Sequence, residues 1–440
     1  MSLLTGPMHR HLNGHKDLTL NAPVNRSIDP DVVYIPLVNG NAKCTPCVQV
    51  GDDVKVGTKV AERNDHFYLP LFSSVSGTVT GIEKRMTSSL TPADHLVIQN
   101  DHKYTEEKPF APLDYEKASW EELHDFCKNA GMLGLGGAGF PTYVKYMKPE
   151  NVDMLIINAV ECEPYLTADY KNIEANMDLL KVGVLGFWKL AKAKHACVAI
   201  KEDKVKQIAA LKETFNGTGV EIRIVPNVYP MGWERTLVYQ VVGKRYDKLP
   251  IEAGCIVNNA TTAIAFGNAL KNSMPITHKY VTVSGDGVAN PQNVYVPVGT
   301  TAHDIIDACG GYTSEDVYLI AGGPMMGRTI TKDEFAIAPQ NNGLTVLKNQ
   351  PLEEVACLRC GRCTESCPAG LEPVRIAAAA KLKDKDALDK LHVMDCIECG
   401  MCTYVCPSKI SVTENVRQGK RYIQLQAKMA AAKAAKGGKK

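Results

Sequence analysis

The chain of 440 residues is long enough for three or four domains, each with room for a buried core. A formal net charge of +2, with 22% of residues charged, leaves no electrostatic footprint for nucleic acid. Fifteen cysteines are many for a reducing compartment unless most of them hold a metal.

The first residues lack the apolar core of a signal peptide. The longest uncharged stretch, 253–270, carries Asn258, Asn259, Thr261, Thr262 and Asn268, which is too polar for a lipid-spanning helix. The chain is therefore expected to be soluble by itself and to need a partner for membrane attachment. Residues 1–30 read as an irregular arm punctuated by Pro7, Gly14, Pro23 and Pro30. His9, His11 and His15 could be a metal cluster, or simply solvated histidines of a polar arm.

Short strand-patterned runs follow at 32–38, 47–62, 69–85 and 95–100, as in a small barrel or sandwich. The V-G-D-x-V-x-x-G run from Val50 and the Ser73-Ser74-Val75-Ser76-Gly77 turn resemble the barrel-sandwich hybrid of biotinyl and lipoyl domains. No lysine stands at that turn, so no swinging-arm cofactor is implied. Cys44 and Cys47 form a C-x-x-C in strand-like surroundings. A redox pair would want a helix N-terminus to lower a thiol pKa, and the alternative is incidental buried thiols.

From Trp120 the apolar period becomes helical and leads into a glycine-rich stretch holding Gly134, Gly136, Gly137, Gly139, Phe140 and Lys145. Bare backbone N–H groups there can approach a phosphate or ring, with Lys145 as countercharge, although a glycine turn can also serve tight packing. It is not G-x-G-x-x-G after a strand, hence no Rossmann fingerprint. A buried strand within 152–164 ends at Glu161 and Glu163, where open α/β sheets collect ligands; a solvated strand end is the alternative. Helix 171–193, strand 195–201, helix 203–214 and strand 221–227 continue the alternation. Glu234 then sits in a strand-to-helix turn, and Asn258, Asn259 and Thr261 come before a helix, where the amides could hydrogen-bond flavin or phosphate oxygens or simply cap the helix. Residues 276–330 read as short strands plus a helix, with Gly322-Gly323-Pro324 a structural turn.

The last quarter is the most specific. Cys357, Cys360, Cys363 and Cys367-Pro368 are followed by Cys396, Cys399, Cys402 and Cys406-Pro407, both in the C-x2-C-x2-C-x3-C-P spacing of ferredoxins with two [4Fe–4S] clusters. Three cysteines of each run reach one cluster, and the fourth belongs to the other. One cluster is thus assigned to Cys357, Cys360, Cys363 and Cys406, the second to Cys396, Cys399, Cys402 and Cys367. Zinc sites would need only separated C-x2-C knuckles, and disulfides fit poorly with tight triplets. An Ala-rich helix is expected between the runs, and an Ala/Lys-rich tail follows them.

Together, GLGGAGFPTYVK (134–145), INAVECEPYLTAD (157–169), IVNNATTA (256–263) and the two cysteine runs resemble the C subunit of the Rnf electron-transport complex. The middle is similar to the NADH-oxidising flavoprotein subunit of respiratory complex I. The resemblance covers nearly the whole chain. It implies an α/β multidomain protein: arm and β barrel-sandwich hybrid (1–115), Rossmann-like α/β FMN/NADH domain (116–272), β-grasp-like SLBB domain (273–345), ferredoxin-like two-cluster α domain (346–420) and tail (421–440). It further implies that Gly134, Gly136 and Lys145 cradle FMN phosphate and that Asn158 and Glu161 face the flavin. Asn258, Asn259 and Thr261 would complete that site. Phe140 would stack near a ring of NAD(H), with Glu163 and Glu234 beside the dinucleotide. Val160 and Trp233 depart from the complex I pattern, which has acids at both places.

One-electron clusters and a hydride carrier need a flavin between them. The leading expectation is a peripheral subunit on the cytoplasmic side of the membrane. It would serve an ion-translocating ferredoxin:NAD+ oxidoreductase alongside integral membrane subunits and a ferredoxin-type iron–sulfur subunit. The alternatives are a soluble electron-transfer protein of the proline-reductase-associated type, or a scaffold whose dinucleotide site has decayed.

Overall fold

The computed structural model describes residues 10–137 and 139–437. His9 lies outside them. The arm is less irregular than its prolines suggest. It forms a short helix, Asp17–Leu20, and then a strand, Val24–Asn25, that pairs in parallel with Gln292–Pro297 of a distant sheet. His15 stacks on Tyr165 at 4.9 Å. Among the described residues no group of histidines, cysteines and acids is arranged to hold a single metal ion.

The barrel-sandwich unit has two larger sheets and a two-stranded one, Val38–Asn39 with Ala42–Lys43. One orders Val32–Pro36, Pro92–Asn100, Gly77–Met86 and Asp53–Val54; the other orders Thr45–Pro46, Lys59–Asn64 and Tyr68–Phe72. Alternating Val33, Ile35, Val79, Leu96 and Ile98 fill the space between them. Cys44 is buried and its thiol is pushed up to about 12, while burial also raises the exposed Cys47. Neither is an activated thiolate.

The central unit is a four-stranded parallel sheet in the order Glu221–Val225, His195–Lys201, Met154–Asn158, Cys255–Asn259. The strand at 195–201 stands where its sequence predicts. The single helix expected over 171–193 is two, Ala168–Ala175 and Met177–Ala191, broken at Asn176, whose amide nitrogen bonds back to Asn172. Met177–Ala191 packs closely on Ala260–Asn272. A Cβ at Gly183 would collide with the Ala263 carbonyl, and one at Gly267 with that of Leu179.

The next sheet orders Val24–Asn25, Gln292–Pro297, His278–Ser284, Gly343–Lys348, Val317–Ala321 and Arg328–Ile330, under helix Ala302–Ala308. Gly343–Lys348 sits inside this sheet, so the expected boundary at 345 falls within a strand; Leu344 and Val346 belong to its core. The helix expected between the cysteine runs is likewise two, Pro373–Lys381 and Lys385–Lys390, because Lys383 turns left-handed (φ 52°) and Asp384 caps the second. Both pack on the C-terminal helix Val412–Gly437.

The glycine contact sets a stability test. Gly183→Ala should cost on the order of 3 kcal/mol by overpacking, read as a lower apparent melting temperature; an unchanged melting curve would contradict this packing.

Candidate functional site

In the parallel sheet the chain leaves the central strand Met154–Asn158 to one side and returns on the other as Cys255–Asn259. Loops after these neighbours diverge, opening the crevice where such sheets bind ligands. Asn158 and Asn259 are register partners at its mouth, with Ile157 opposite Asn258. Above them runs the glycine segment. A Cβ on Gly136 would lie 3.1 Å from that of Asn259, so a side chain here would press on the asparagine. The turn is pinned by Leu135 N–H donating to Thr262 Oγ1 (2.9 Å) and by Gly134 N–H donating to the Phe140 carbonyl (2.8 Å).

Asp169, the last residue of the 157–169 motif, organises the next layer. It accepts from Asn259 Nδ2 at 2.9 Å and Thr261 Oγ1 at 2.9 Å, while Asn259 Oδ1 caps the following helix through the Thr261 N–H. Asn258 reaches the Tyr146 hydroxyl, and Asn158 Nδ2 donates to the Gly232 carbonyl at 3.0 Å. Lys145 is drawn inward, donating to the Val257 carbonyl at 2.6 Å; burial lowers its pKa and the Glu234 charge partly restores it. Glu234 accepts from the Tyr246 hydroxyl at 3.0 Å. Phe140 is 38% exposed and meets Phe67 of the barrel edge-on, at the rim rather than inside the crevice. Trp233 holds the N-cap position of helix Glu234–Val242 and makes no side-chain cap.

Glu161 is buried, with Oε1 accepting the Asp169 N–H at 3.1 Å and Oε2 unpartnered by any hydrogen bond. Its counter-ion comes from the arm. Lys16 Nζ lies 4.0 Å from Glu161 Oε2 and donates to the carbonyls of Glu163 (2.9 Å) and Leu166. Burial pushes the carboxyl up and the ammonium down, and each charge opposes the shift of the other. A second lysine, Lys279, is fully enclosed beside the glycine turn, with its pKa brought down to about 8 by burial. Neither lysine carries a sequence signal, because each reaches the site only through long-range packing.

Glu163 turns the other way. Its Oε1 accepts the N–H groups of Met325 (2.8 Å) and Met326 (3.0 Å), so the Gly322-Gly323-Pro324 turn is fitted against this carboxylate. A Cβ on Gly323 would overlap the Glu163 side chain. Met325 then packs with Tyr229, Cys399 and Met401, and Tyr229 Oη donates to the Cys399 carbonyl at 2.6 Å.

Four cysteines, Cys367, Cys396, Cys399 and Cys402, line one small pocket with Pro368, Leu371 and Ile376. Three come from one run and the fourth from the other. Cys357 and Cys360 are exposed, and Cys363 and Cys406 are half-buried. The runs repeat each other in backbone: Arg359 and Glu398 are both left-handed (φ 55° and 56°), and their N–H groups point at Cys357 Sγ and Cys396 Sγ, each at 3.4 Å. Leu371 N–H does the same for Cys367 Sγ at 3.4 Å. Such donors stabilise thiolate and sulfide charge.

A strand-end crevice under a glycine turn, joined to paired ferredoxin-type cysteine runs, defines an iron–sulfur flavoprotein of electron transfer. Residues 9–103 match the RnfC barrel sandwich hybrid domain and 127–267 the Nuo51 FMN-binding domain; 280–329 match the SLBB domain and 352–425 the 4Fe-4S dicluster domain. The C subunit of the proton-translocating ferredoxin:NAD(+) oxidoreductase complex of Clostridium ljungdahlii is 35% identical, over 92% of this chain and 91% of that one. The C subunit of the Na(+)-translocating complex of Acetobacterium woodii is 34% identical, over 93% and 94%. The chain belongs to this family, the C subunits of Rnf-type ion-translocating oxidoreductase complexes. An NAD+-reducing [NiFe]-hydrogenase structure is 18% identical over 75% of this chain and 69% of its own, with a TM-score of 0.48.

Two tests follow from this geometry. Removing the ammonium in Lys16→Met leaves burial as the main influence on Glu161, so its protonation midpoint moves upward. Carboxyl infrared absorption followed against pH reads that shift, and an unmoved midpoint would break the pairing. Cys367→Ser should remove about half the iron, and the electron paramagnetic resonance signal that disappears should be the one also lost in Cys396→Ser.

Proposed function

We propose that this chain is the NAD(H)-facing peripheral subunit of an ion-translocating ferredoxin:NAD+ oxidoreductase, passing electrons between NAD(H), FMN and two [4Fe–4S] clusters. The observation that carries this reading is the junction at Tyr229, where the strand-end loop and the four-cysteine pocket meet through the Cys399 carbonyl. The residues present fit FMN: a Cβ at Gly137 would meet nothing within 4 Å, which leaves room beside the glycine turn, and Glu161 Oε2, 4.0 Å from Lys16 Nζ, accepts no hydrogen bond. When bound, the flavin supplies the exchange between hydride and single electrons.

In this reading the Gly134 N–H, already bonded to the Phe140 carbonyl, shapes the phosphate cradle, Gly136 presents its N–H to it, and Lys145 supplies a positive charge. Asn158, Asn258, Asn259 and Thr261 orient the ring system, held in place by Asp169. Glu161 and Lys16 set the charge behind it, while Glu163, Glu234 and Phe140 face the dinucleotide. Cys367, Cys396, Cys399 and Cys402 hold the inner cluster; Cys357, Cys360, Cys363 and Cys406 hold the outer one. No side chain has to act as acid or base.

The exposure of Cys357 and Cys360 supports an outer cluster turned toward a redox partner, in our reading a membrane subunit or a ferredoxin-type subunit of the complex. Among the described residues no helix is long and apolar enough to cross a membrane, so ion movement is assigned to integral membrane partners. We place the chain peripherally on the cytoplasmic side. The arm and barrel take 1–115, the flavin unit 116–272, the SLBB unit 273 to the end of its last strand, and the cluster unit follows; the expected boundary at 420 falls inside its last helix, Val412–Gly437, whose Tyr422 and Ile423 still pack on the cluster-unit core.

The test is anaerobic. The full chain, loaded with iron, sulfide and FMN, should lose flavin and cluster absorbance on addition of NADH. Intact clusters with no bleaching would sink the NAD(H)-facing role.

A further inference from the structure

The C-terminal helix Val412–Gly437 begins inside the cluster unit and ends outside it. Thr413 Oγ1 lies 3.2 Å from Cys402 Sγ, and Val416 and Ile423 pack on the core around the cysteines. Beyond Ile423 that packing stops. From Gln424 to Lys433 every residue is exposed except the half-buried Gln426, so the helix projects from the body. Residues 424–437 extend about 21 Å at the rise of an α-helix. Alanines at 427, 430–432, 434 and 435 favour helix where no packing supports it.

The projection is amphipathic. Leu425 is 54% exposed and Met429 48%. They stand one turn apart, on the far side of the helix from the core-facing Val416 and Ile423. Packing within the chain therefore does not account for them. Ala432 continues their stripe, and Lys428 and Lys433 border it on its two sides. An apolar stripe between lysines is the pattern of a helix lying in a lipid interface, where methylene stems follow the apolar side and ammonium groups reach the headgroups.

The charge is one-sided as well. Glu414 is the last acid of the sequence, and residues 415–440 carry eight Lys and Arg. The body before them is net negative, since it holds all 48 Asp and Glu against fewer Lys and Arg. Among the described residues, Arg421 with Glu414 at 3.6 Å is the last ion pair along the helix. Such a chain turns its helix toward an anionic surface and its body away from it. An acidic protein face would call for the charge alone; the exposed Leu425 and Met429 fit the headgroup–acyl boundary of a bilayer.

We propose that the projecting end of this helix, from Gln424 onward, binds an anionic lipid surface directly. This goes beyond the peripheral placement proposed above, because attachment then does not wait for a protein partner. It holds whether or not the chain oxidises NADH. Since the helix is rooted beside Cys402, lipid binding also keeps the cluster unit at the membrane.

The test is co-sedimentation of the full chain, loaded with clusters, with vesicles of phosphatidylcholine alone or of phosphatidylcholine and phosphatidylglycerol in equal parts. The chain should sediment with the anionic vesicles at low salt, stay in solution with the neutral ones, and be released as salt rises. At about fivefold in partition per lysine, Lys428→Gln, Lys433→Gln and Lys436→Gln together should weaken binding about a hundredfold. Leu425→Gln with Met429→Gln should weaken it with the charge unchanged. A chain ending at Gln424 keeps the core residues, so it should retain its iron and melting temperature yet no longer sediment. Equal sedimentation of the full and shortened chains, or of the full chain with both kinds of vesicle, would overturn the proposal. So would a full chain that ignores anionic vesicles; if only the shortened chain is then lost from native membranes, the partner is an acidic protein.

Discussion

A carboxylate taken out of water must be met by donors, and the loop after the central strand carries two of them, Glu161 and Glu163. Its own domain cannot satisfy both. The arm supplies Lys16 to the first, and the SLBB turn supplies two peptide N–H groups to the second. Thr167 adds a third tie, with its N–H on Thr282 and its hydroxyl against Thr19. Four segments far apart in sequence thus converge on a dozen residues, and the relative placement of the domains follows from electrostatic need at that point.

This convergence also determines how the two redox halves meet. Once Glu163 fixes the turn at Met325, Gly400 of the second cysteine run has little freedom, since a Cβ there would strike the Met325 carbonyl. Tyr229 closes the arrangement from the side of the flavin unit. Position at this seam is therefore set by backbone atoms, the Tyr229 hydroxyl and the buried Glu163 carboxylate.

The sequence made the repeating parts legible. Strand His195–Lys201 and the cysteine runs are visible because local period and spacing are enough to define them. The helix breaks at Asn176 and Lys383 were not, since a single side-chain bond or left-handed residue decides each. Gly134, Gly136, Asn258 and Asn259 could be picked out by motif. Lys16 and Lys279 could not, because an isolated lysine gains meaning only from what folds around it. The strand Gly343–Lys348 was missed for a similar reason: it completes a sheet whose other members precede it by many residues.

The pocket that gathers Cys367 with Cys396, Cys399 and Cys402 has a consequence for biosynthesis. In the pairing proposed above, the fourth cysteine of each run completes the other run's cluster, so neither run alone closes a site. A nascent chain that has released only its first run offers four thiols but only three of the ligands of its own cluster. Cluster insertion thus acts as a late inspection, passed only by chains made nearly to their end, and a truncated product would be left without its metal and exposed to proteolysis.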